Sequence, residues 1–353
     1  MAADLDALCR ALRRIDGFAD VDRAELQPML VKGLAHEHIR IAGRGLVLRV
    51  PRLSQFGLEP EANLQYQRAC FERAEASGAT PCIQGVLPVE DRIPYGALIV
   101  EEIIGRAPRV PGDMAALVGA LAALHMLPLP GDDARAPLTI HTDAVSGTLR
   151  FIETQAVYLP EAGLAADAAR QIDEELAWAR RFAAESRGQD QPIALVGTDT
   201  HPGNFLIESA GRAVFVDLEK ALYGSPAVDL AHASVYTSTM WERDSATALD
   251  AGDVAAFYRQ YLDCVPTELG GRIEPWFAPL RRLTWLRTTT WCAKWWVEAA
   301  RPARDASTWS ADRLDRDHVA GVRARIQDYY DPATIARIRA EWTGPDRASF
   351  DTR

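Results

Sequence analysis

The sequence predicts an α+β fold in which a small antiparallel sheet carrying one helix precedes a larger, mainly helical part. Three observations carry this. Before residue 104 apolar runs alternate with turn residues, "GRAPRVPG" at 105–112 breaks the chain with Gly and Pro, and beyond it apolar residues recur mostly at helical spacing. The boundary falls near Ile104, giving segments 1–104 and 105–353.

Each element has its own signal. Leu5, Leu8, Leu12 and Ile15 share one face of a short helix. "QPMLVKGLAHEHIRI" and "GLVLRVPR" flank "AGRG" and read as a hairpin. A helix starts near Pro60 and ends at Gly78, and "TPCIQGVLPV" and "YGALIVEEII" supply two more strands. In the second part "DMAALVGALAALHML" is a helix with Asp113 as its N-cap, and a long helix opens near Pro160. From Ser245 onward the periodicity is helical.

Composition narrows the function classes. With 353 residues, 48% hydrophobic and 25% charged, the chain is an ordinary soluble globular one. A formal net charge of -10 argues against a nucleic-acid partner, and no apolar run reaches bilayer length, so no membrane partner is expected. Five scattered cysteines without metal-ligand spacing, and an opening Met-Ala-Ala-Asp-Leu-Asp unlike a secretory signal, point to the cytoplasm. Of 39 basic residues only Lys32, Lys220 and Lys294 are lysines, so most cationic roles fall to Arg.

The chemistry concentrates in "LVGTDTHPGNFLI" (195–207) and "VFVDLEKA" (214–221). "NFLIE" and "AVFVD" flank "SAGR" and pair as a hairpin. A two-residue turn at Ala210 and Gly211 sets Asn204 directly opposite Asp217, and a bulge or longer turn shifts the pairing by one residue. An Asn and an Asp oxygen held together beside a loop Asp, Asp199, suit magnesium, which takes oxygen ligands and completes its shell with water and phosphate. Asp199, close to that ion, can orient a hydroxyl or take its proton. Asp-x-x-x-x-Asn alone is common and usually caps turns. The hairpin, the spacing to Asp217 and the following "GSPAVDLA" favour catalysis.

"DTHPGNFLI", "VFVDLEKALYGSPAVDLAHAS" and "LAALHMLP" resemble the small-molecule phosphotransferase family that includes aminoglycoside phosphotransferases and choline kinases. The resemblance implies a protein-kinase-like fold with two lobes, 1–104 for nucleotide binding and 105–353 for catalysis and acceptor binding. It also implies Asp199 as catalytic residue, Asn204 and Asp217 as metal ligands, and Asp229 as a brace for the catalytic loop. The donor is ATP or GTP with Mg2+, and the partners are a nucleoside triphosphate and a small-molecule acceptor, with no nucleic acid or membrane.

The cation for the nucleotide phosphates belongs on the third strand, where Arg49 stands, with Arg52 as rival. Its helix partner is expected to be Glu61, with Glu59 and Glu72 as alternatives. Adenine is expected on backbone groups of Val100 to Ile103, and "KGLAHEHIRIAGRG" resembles the opening hairpin without its glycine pattern. Gly197 and Thr198 stand where the family has His and Gly, which raises the question of what holds the loop. His201 is read as loop packing. Of nine tryptophans, Trp285, Trp291, Trp295 and Trp296 cluster, and one or two of them suit an acceptor pocket. The expected activity is phosphoryl transfer to a hydroxyl of an aminoglycoside, amino alcohol or sugar-like molecule. The competing reading is a kinase-like nucleotide-binding or regulatory protein without turnover.

Overall fold

Alternation along the strands decides which side chains reach the cleft. The computed structural model describes residues 3–30, 35–302 and 316–343. It opens with α1 (Leu5–Leu12), β1 (Leu26–Pro28), β2 (His36–Ile41), β3 (Leu46–Pro51), α2 (Pro60–Ala74), β4 (Ile83–Leu87) and β5 (Ala97–Glu101). These strands form one sheet, ordered β1-β2-β3-β5-β4, with all neighbours antiparallel. Ile39, Ile41, Leu48, Val50 and Ile99 form one apolar cluster with Leu8 and Leu12 of α1. Residues of the opposite parity, among them His36, His38, Val47 and Arg49, therefore face α2 and the second part of the chain. Asp4 caps α1 by accepting from the backbone of Asp6 and Ala7.

Past the sheet the elements are β6 (Gly105–Arg106), α3 (Met114–His125), α4 (Ala144–Ala156), α5 (Ala166–Glu185), β7 (Ala194–Val196), β8 (Phe205–Glu208), β9 (Ala213–Phe215) and β10 (Leu222–Gly224). Helices α6 (Pro226–Ser234), α7 (Tyr236–Thr239), α8 (Ala251–Cys264), α9 (Thr267–Ile273), α10 (Phe277–Ala299), α11 (Arg316–Tyr329) and α12 (Pro332–Thr343) follow. β6 pairs with β8, so the chain joins the second part's own sheet as soon as it leaves β5. Helix α10 runs through the centre of this part against α4 and α6, with Trp285 and Trp295 fully buried. No helix among the described residues is long and apolar enough to cross a membrane.

Three expectations change. Asp113 does not cap α3, because its carboxylate is taken by Arg106 (2.6 Å) and the Arg109 amide (2.6 Å). The long helix begins at Ala166, since Leu159–Glu161 is a separate 3₁₀ turn and the chain turns again before Ala165. Helix α4, which the sequence reading passed over, packs on α10 and supplies one wall of the cleft. Lys32 and Gly33, within the expected phosphate-covering turn, lie outside the described residues.

Candidate active site

The β8–β9 hairpin sets the spacing of the acidic groups. Its pairs are Phe205 with Phe215, Leu206 with Val214 and Ile207 with Ala213. The turn has three residues, closed by Glu208 N to Arg212 O and Gly211 N to Glu208 O, both 2.9 Å, with Gly211 at φ 81°. Asn204 therefore faces Val216, whose amide donates to Asn204 O at 2.9 Å, and Asp217 lies one residue further on. This corrects the expectation that Asn204 and Asp217 pair directly. They remain neighbours, because the longer turn shifts the register by one step only.

Asn204 also fixes the loop before it, since its Nδ2 donates to Asp199 O at 2.7 Å. Asp229, on α6 and fully buried, receives Gly197 N on Oδ2 and Thr198 N on Oδ1, each at 2.7 Å. His125 contacts the same carboxylate at 3.1 Å and the Tyr261 hydroxyl at 3.0 Å. Thr198 is held at φ 58°, a left-handed conformation unfavourable for a β-branched residue. It is tied down by its amide, by its Oγ1 to Lys220 O at 2.9 Å, and by Arg287 Nη2 donating to its carbonyl at 3.0 Å.

These contacts answer the question at Gly197. A Cβ there would lie 2.5 Å from Phe215 Cε1 and 2.8 Å from Cζ. The Phe215 ring occupies the space that a side chain at Gly197 would need, and Asp229 holds the loop from below instead.

Three carboxylates and two cations meet above this loop. Lys220 Nζ donates to Asp199 Oδ2 at 2.5 Å, and His232 Nε2 lies 3.7 Å from Oδ1. Arg49 Nη2 donates to Asp217 Oδ1 at 2.5 Å and Nη1 to Val216 O at 2.9 Å, bridging the two parts of the chain. Burial pushes the Asp199 carboxyl up, but the Lys220 ammonium and the nearby histidines outweigh it and hold it well below the usual carboxylate range. Burial pushes Asp217 up as well, but Arg49, His36 and Lys220 together outweigh it and leave Asp217 below its ordinary value. Glu219 goes the other way: burial and the Asp217 charge push it up to about 8. Burial, helped by Arg49, pulls His36 down to about 4, and burial pulls His232 down to about 3.

Asp199, Asn204 and Asp217 line one cleft of about 410 Å³. Arg49, by contrast, is almost wholly buried beneath it. Glu61 is exposed in the first turn of α2 and makes no ion pair among the described residues. The structure does not bring it to Arg49, because α2 turns Asn63, Tyr66 and Gln67 inward instead. Glu59 is exposed too, Glu72 pairs with Arg68, and Arg52 pairs with Glu37. In the expected adenine segment, Glu101 N and Glu102 N already donate to Cys82 O and Gly45 O.

The far wall of the cleft carries Trp241 and Trp291, edge to face at 5.5 Å, beside Glu242 and Asp244. His201, Ser225, His232, Thr237 and Ser238 line the same space, each with a buried side-chain N or O atom that has no hydrogen-bond partner among the described residues. The sequence reading missed Lys220 and Glu219. "DLEK" offered a signal, a carboxylate and an ammonium shortly after Asp217, but nothing in the string says which way they turn.

A sequence profile described as the phosphotransferase enzyme family matches residues 38–267. The chain belongs to this family. The phosphotransferase is thereby an enzyme of the small-molecule kinase class. It is similar to a choline/ethanolamine kinase family protein from Mesorhizobium loti, with 19% identity, 98% of each chain covered and a TM-score of 0.58. It is also similar to choline kinase from Cryptosporidium parvum, with 12% identity, 96% of each chain covered and a TM-score of 0.58. A third likeness is to a thermostable mutant of aminoglycoside phosphotransferase APH(4)-Ia in ternary complex with AMP-PNP and hygromycin B. There the identity is 16%, with 96% of this chain and 99% of that one covered and a TM-score of 0.56. At such identities these structures establish the two-lobed, kinase-like fold of the phosphotransferase. No curated protein matches its sequence.

Proposed function

We propose that the protein transfers the terminal phosphoryl group of ATP or GTP to a hydroxyl of a small molecule, with magnesium as its metal. Residues 1–104 would form the nucleotide-binding lobe and 105–353 the catalytic and acceptor lobe. The observation that carries this reading is the bond from Asn204 Nδ2 to Asp199 O at 2.7 Å, with Asp217 one residue beyond the Val216–Asn204 hydrogen bond. It ties the base and both ligand residues of this reading into one unit.

The donor set fits a hard cation. With its amide nitrogen engaged, Asn204 offers Oδ1, and with Arg49 on Oδ1, Asp217 offers Oδ2. Magnesium held there would neutralise phosphate charge. Arg49 keeps Asp217 ionised from beneath the cleft, through Nη2 on its Oδ1.

Asp199 has one oxygen engaged by Lys220, so Oδ1 is the one open to the acceptor. In the transfer, the acceptor oxygen bonds to the terminal phosphorus and the bond to the bridging oxygen breaks. The nucleoside diphosphate leaves with that electron pair, and the hydroxyl proton passes to Asp199. In a loose transition state the proton leaves late, so a weakly basic carboxylate suffices. The Trp241–Trp291 pair, Glu242, and the unpartnered polar atoms of Ser225, His232, Thr237 and Ser238 support an acceptor rich in hydroxyl or amine groups, as in an aminoglycoside, amino alcohol or sugar.

The test is a thermal-shift titration with magnesium nucleotide, followed by an acceptor panel read as nucleoside diphosphate release. Stabilisation that grows with ligand concentration, plus acceptor-dependent release, is expected. Binding without release on any acceptor would assign the protein to the non-catalytic reading.

A further inference from the structure

We propose that the wall of the cleft formed by α10 is an anion subsite centred on Arg287, so that the acceptor carries a carboxylate beside its reacting hydroxyl. This rests on the phosphotransferase reading and narrows its acceptor to a hydroxy acid.

Helix α10 is buried along most of its length, and it presents Arg287, Thr288, Trp291 and Lys294 to the cleft. Arg287, Trp291 and Lys294 are four and then three residues apart, which stacks them on one face of the helix. Both ends of that face are cationic.

Earlier arginines of the same helix are matched by acids: Arg281 reaches Glu341 at 2.9 Å and Arg282 reaches Glu175 at 2.5 Å. Arg287 has no carboxylate at ion-pair distance among the described residues. Its side chain donates from Nη2 to Thr198 O at 3.0 Å, a neutral carbonyl. Asp199 and Asp229 attract it, but Lys220 holds the first, and the Gly197 and Thr198 amides with His125 hold the second. Burial outweighs that attraction and pulls the guanidinium below its ordinary pKa. A guanidinium is a planar fork of several N–H donors, and a carboxylate matches it in geometry and charge.

The neighbours of Arg287 are donors too. Ser225 stands at the N-cap of α6, yet its hydroxyl caps no amide, is almost wholly buried without a partner among the described residues, and lines the cleft. His141 lies between them. Its Cβ is 3.8 Å from where a Cβ of Gly224 would stand, and burial, with the charges of Arg150 and Arg287, lowers its pKa. A neutral imidazole and a hydroxyl can each donate to an anion, and the α6 N-terminus adds the positive end of its dipole.

Thr198 and Asp199 are consecutive, so an anion on Arg287 lies within a few bonds of the hydroxyl that Asp199 serves. A singly charged carboxylate suits that place better than a phosphate dianion, which Asp199 and Asp229 repel more strongly. Trp241 and Glu242 on the neighbouring wall can meet an ammonium on the same molecule. Sugar acids and hydroxy amino acids therefore both qualify.

The full-length protein with magnesium ADP is titrated by thermal shift with three matched pairs: gluconate and sorbitol, L-serine and ethanolamine, L-homoserine and 3-amino-1-propanol. Within each pair only the first member has a carboxylate, and the pairs separate sugar acids from hydroxy amino acids. At least one acid should bind about 10- to 100-fold more tightly than its partner, as hydrogen bonds to a charged group imply. Arg287→Gln keeps an amide donor for Thr198 O and should erase that preference while the nucleotide shift persists. Lys294→Met, away from the catalytic loop, should erase part of it. A loop disturbed through Thr198 would weaken acid and partner alike, so the ratio reads the anion contact. If no acid is favoured over its partner, or the preference survives Arg287→Gln, the proposal is overturned. Nucleoside diphosphate release from magnesium ATP with the same panel tests the kinase reading separately. Release with the partners and not the acids removes the anion subsite and keeps that reading, whereas acid binding without release sinks that reading alone.

Discussion

Lys220 Nζ lies 2.5 Å from Asp199 Oδ2, so the residue proposed as the base carries its own counter-ion. Neutralising a buried carboxylate in this way favours its ionised form. The ammonium in turn has its pKa raised, as Asp199 and Glu219 outweigh the effect of burial. Lys220→Met should remove the largest charge opposing burial and move the Asp199 pKa upward. An acid limb absent from the wild-type kcat/KM profile should then enter the measurable range. An unchanged profile would mean that the pair is not formed in the working enzyme.

Gly197 is predicted to tolerate no side chain. With Phe215 Cε1 2.5 Å from the position of a Cβ, Gly197→Ala should cost about 1–3 kcal/mol of stability, the usual range for overpacking. Adding Phe215→Leu should recover part of that loss, because the smaller side chain frees the space. Urea unfolding of both single variants and the double variant gives the coupling, and strict additivity would contradict the packing argument.

Asp229 should be indispensable to the shape of the loop. Its two oxygens receive the amides of Gly197 and Thr198 in a fully buried position. Asp229→Asn turns one of those acceptors into a donor facing a donor. The expected loss is about 2–3 kcal/mol, with a fall in kcat as Thr198 escapes its left-handed conformation. Wild-type stability and kcat together would remove Asp229 from this role.

Stability should peak near pH 6.5. His36, His38 and His232 have folded pKa values lowered, mainly by burial, to about 4, about 3 and about 3 respectively. As pH falls below 6.5 the unfolded state takes up protons that the native state refuses, and stability is lost. Glu219, raised to about 8, works in the opposite sense. Its contribution is complete below pH 4.5 and declines as pH rises toward 8. Three histidines against one carboxylate leave about two net protons on the acid side, or about 2.7 kcal/mol per pH unit, and Glu219 alone acts on the alkaline side. Glu219→Gln should flatten the alkaline limb in urea midpoints measured across pH.

Parts of this were legible in the string: the family resemblance pointed to Arg49 on the third strand, and the spacing of Asp199, Asn204 and Asp217 pointed to three residues that line one cleft. The hairpin register was missed by one residue, because the sequence does not distinguish a two-residue turn at Ala210-Gly211 from a three-residue turn with Gly211 left-handed. The partner of Arg49 was misread because any of several α2 carboxylates could be drawn toward it, whereas the cation reaches across the cleft to Asp217. Lys220, Phe215 and His36 act through contacts between distant segments, which periodicity does not encode.

The central claim is that Asp199 serves the transfer step and not nucleotide binding. The most direct measurement is nucleoside diphosphate release by Asp199→Asn with the best acceptor from the panel, alongside its thermal shift with magnesium nucleotide. The account predicts a rate lower by about 10²- to 10⁴-fold, the usual contribution of a positioned base, with the nucleotide shift retained. An undiminished rate on that acceptor would contradict it.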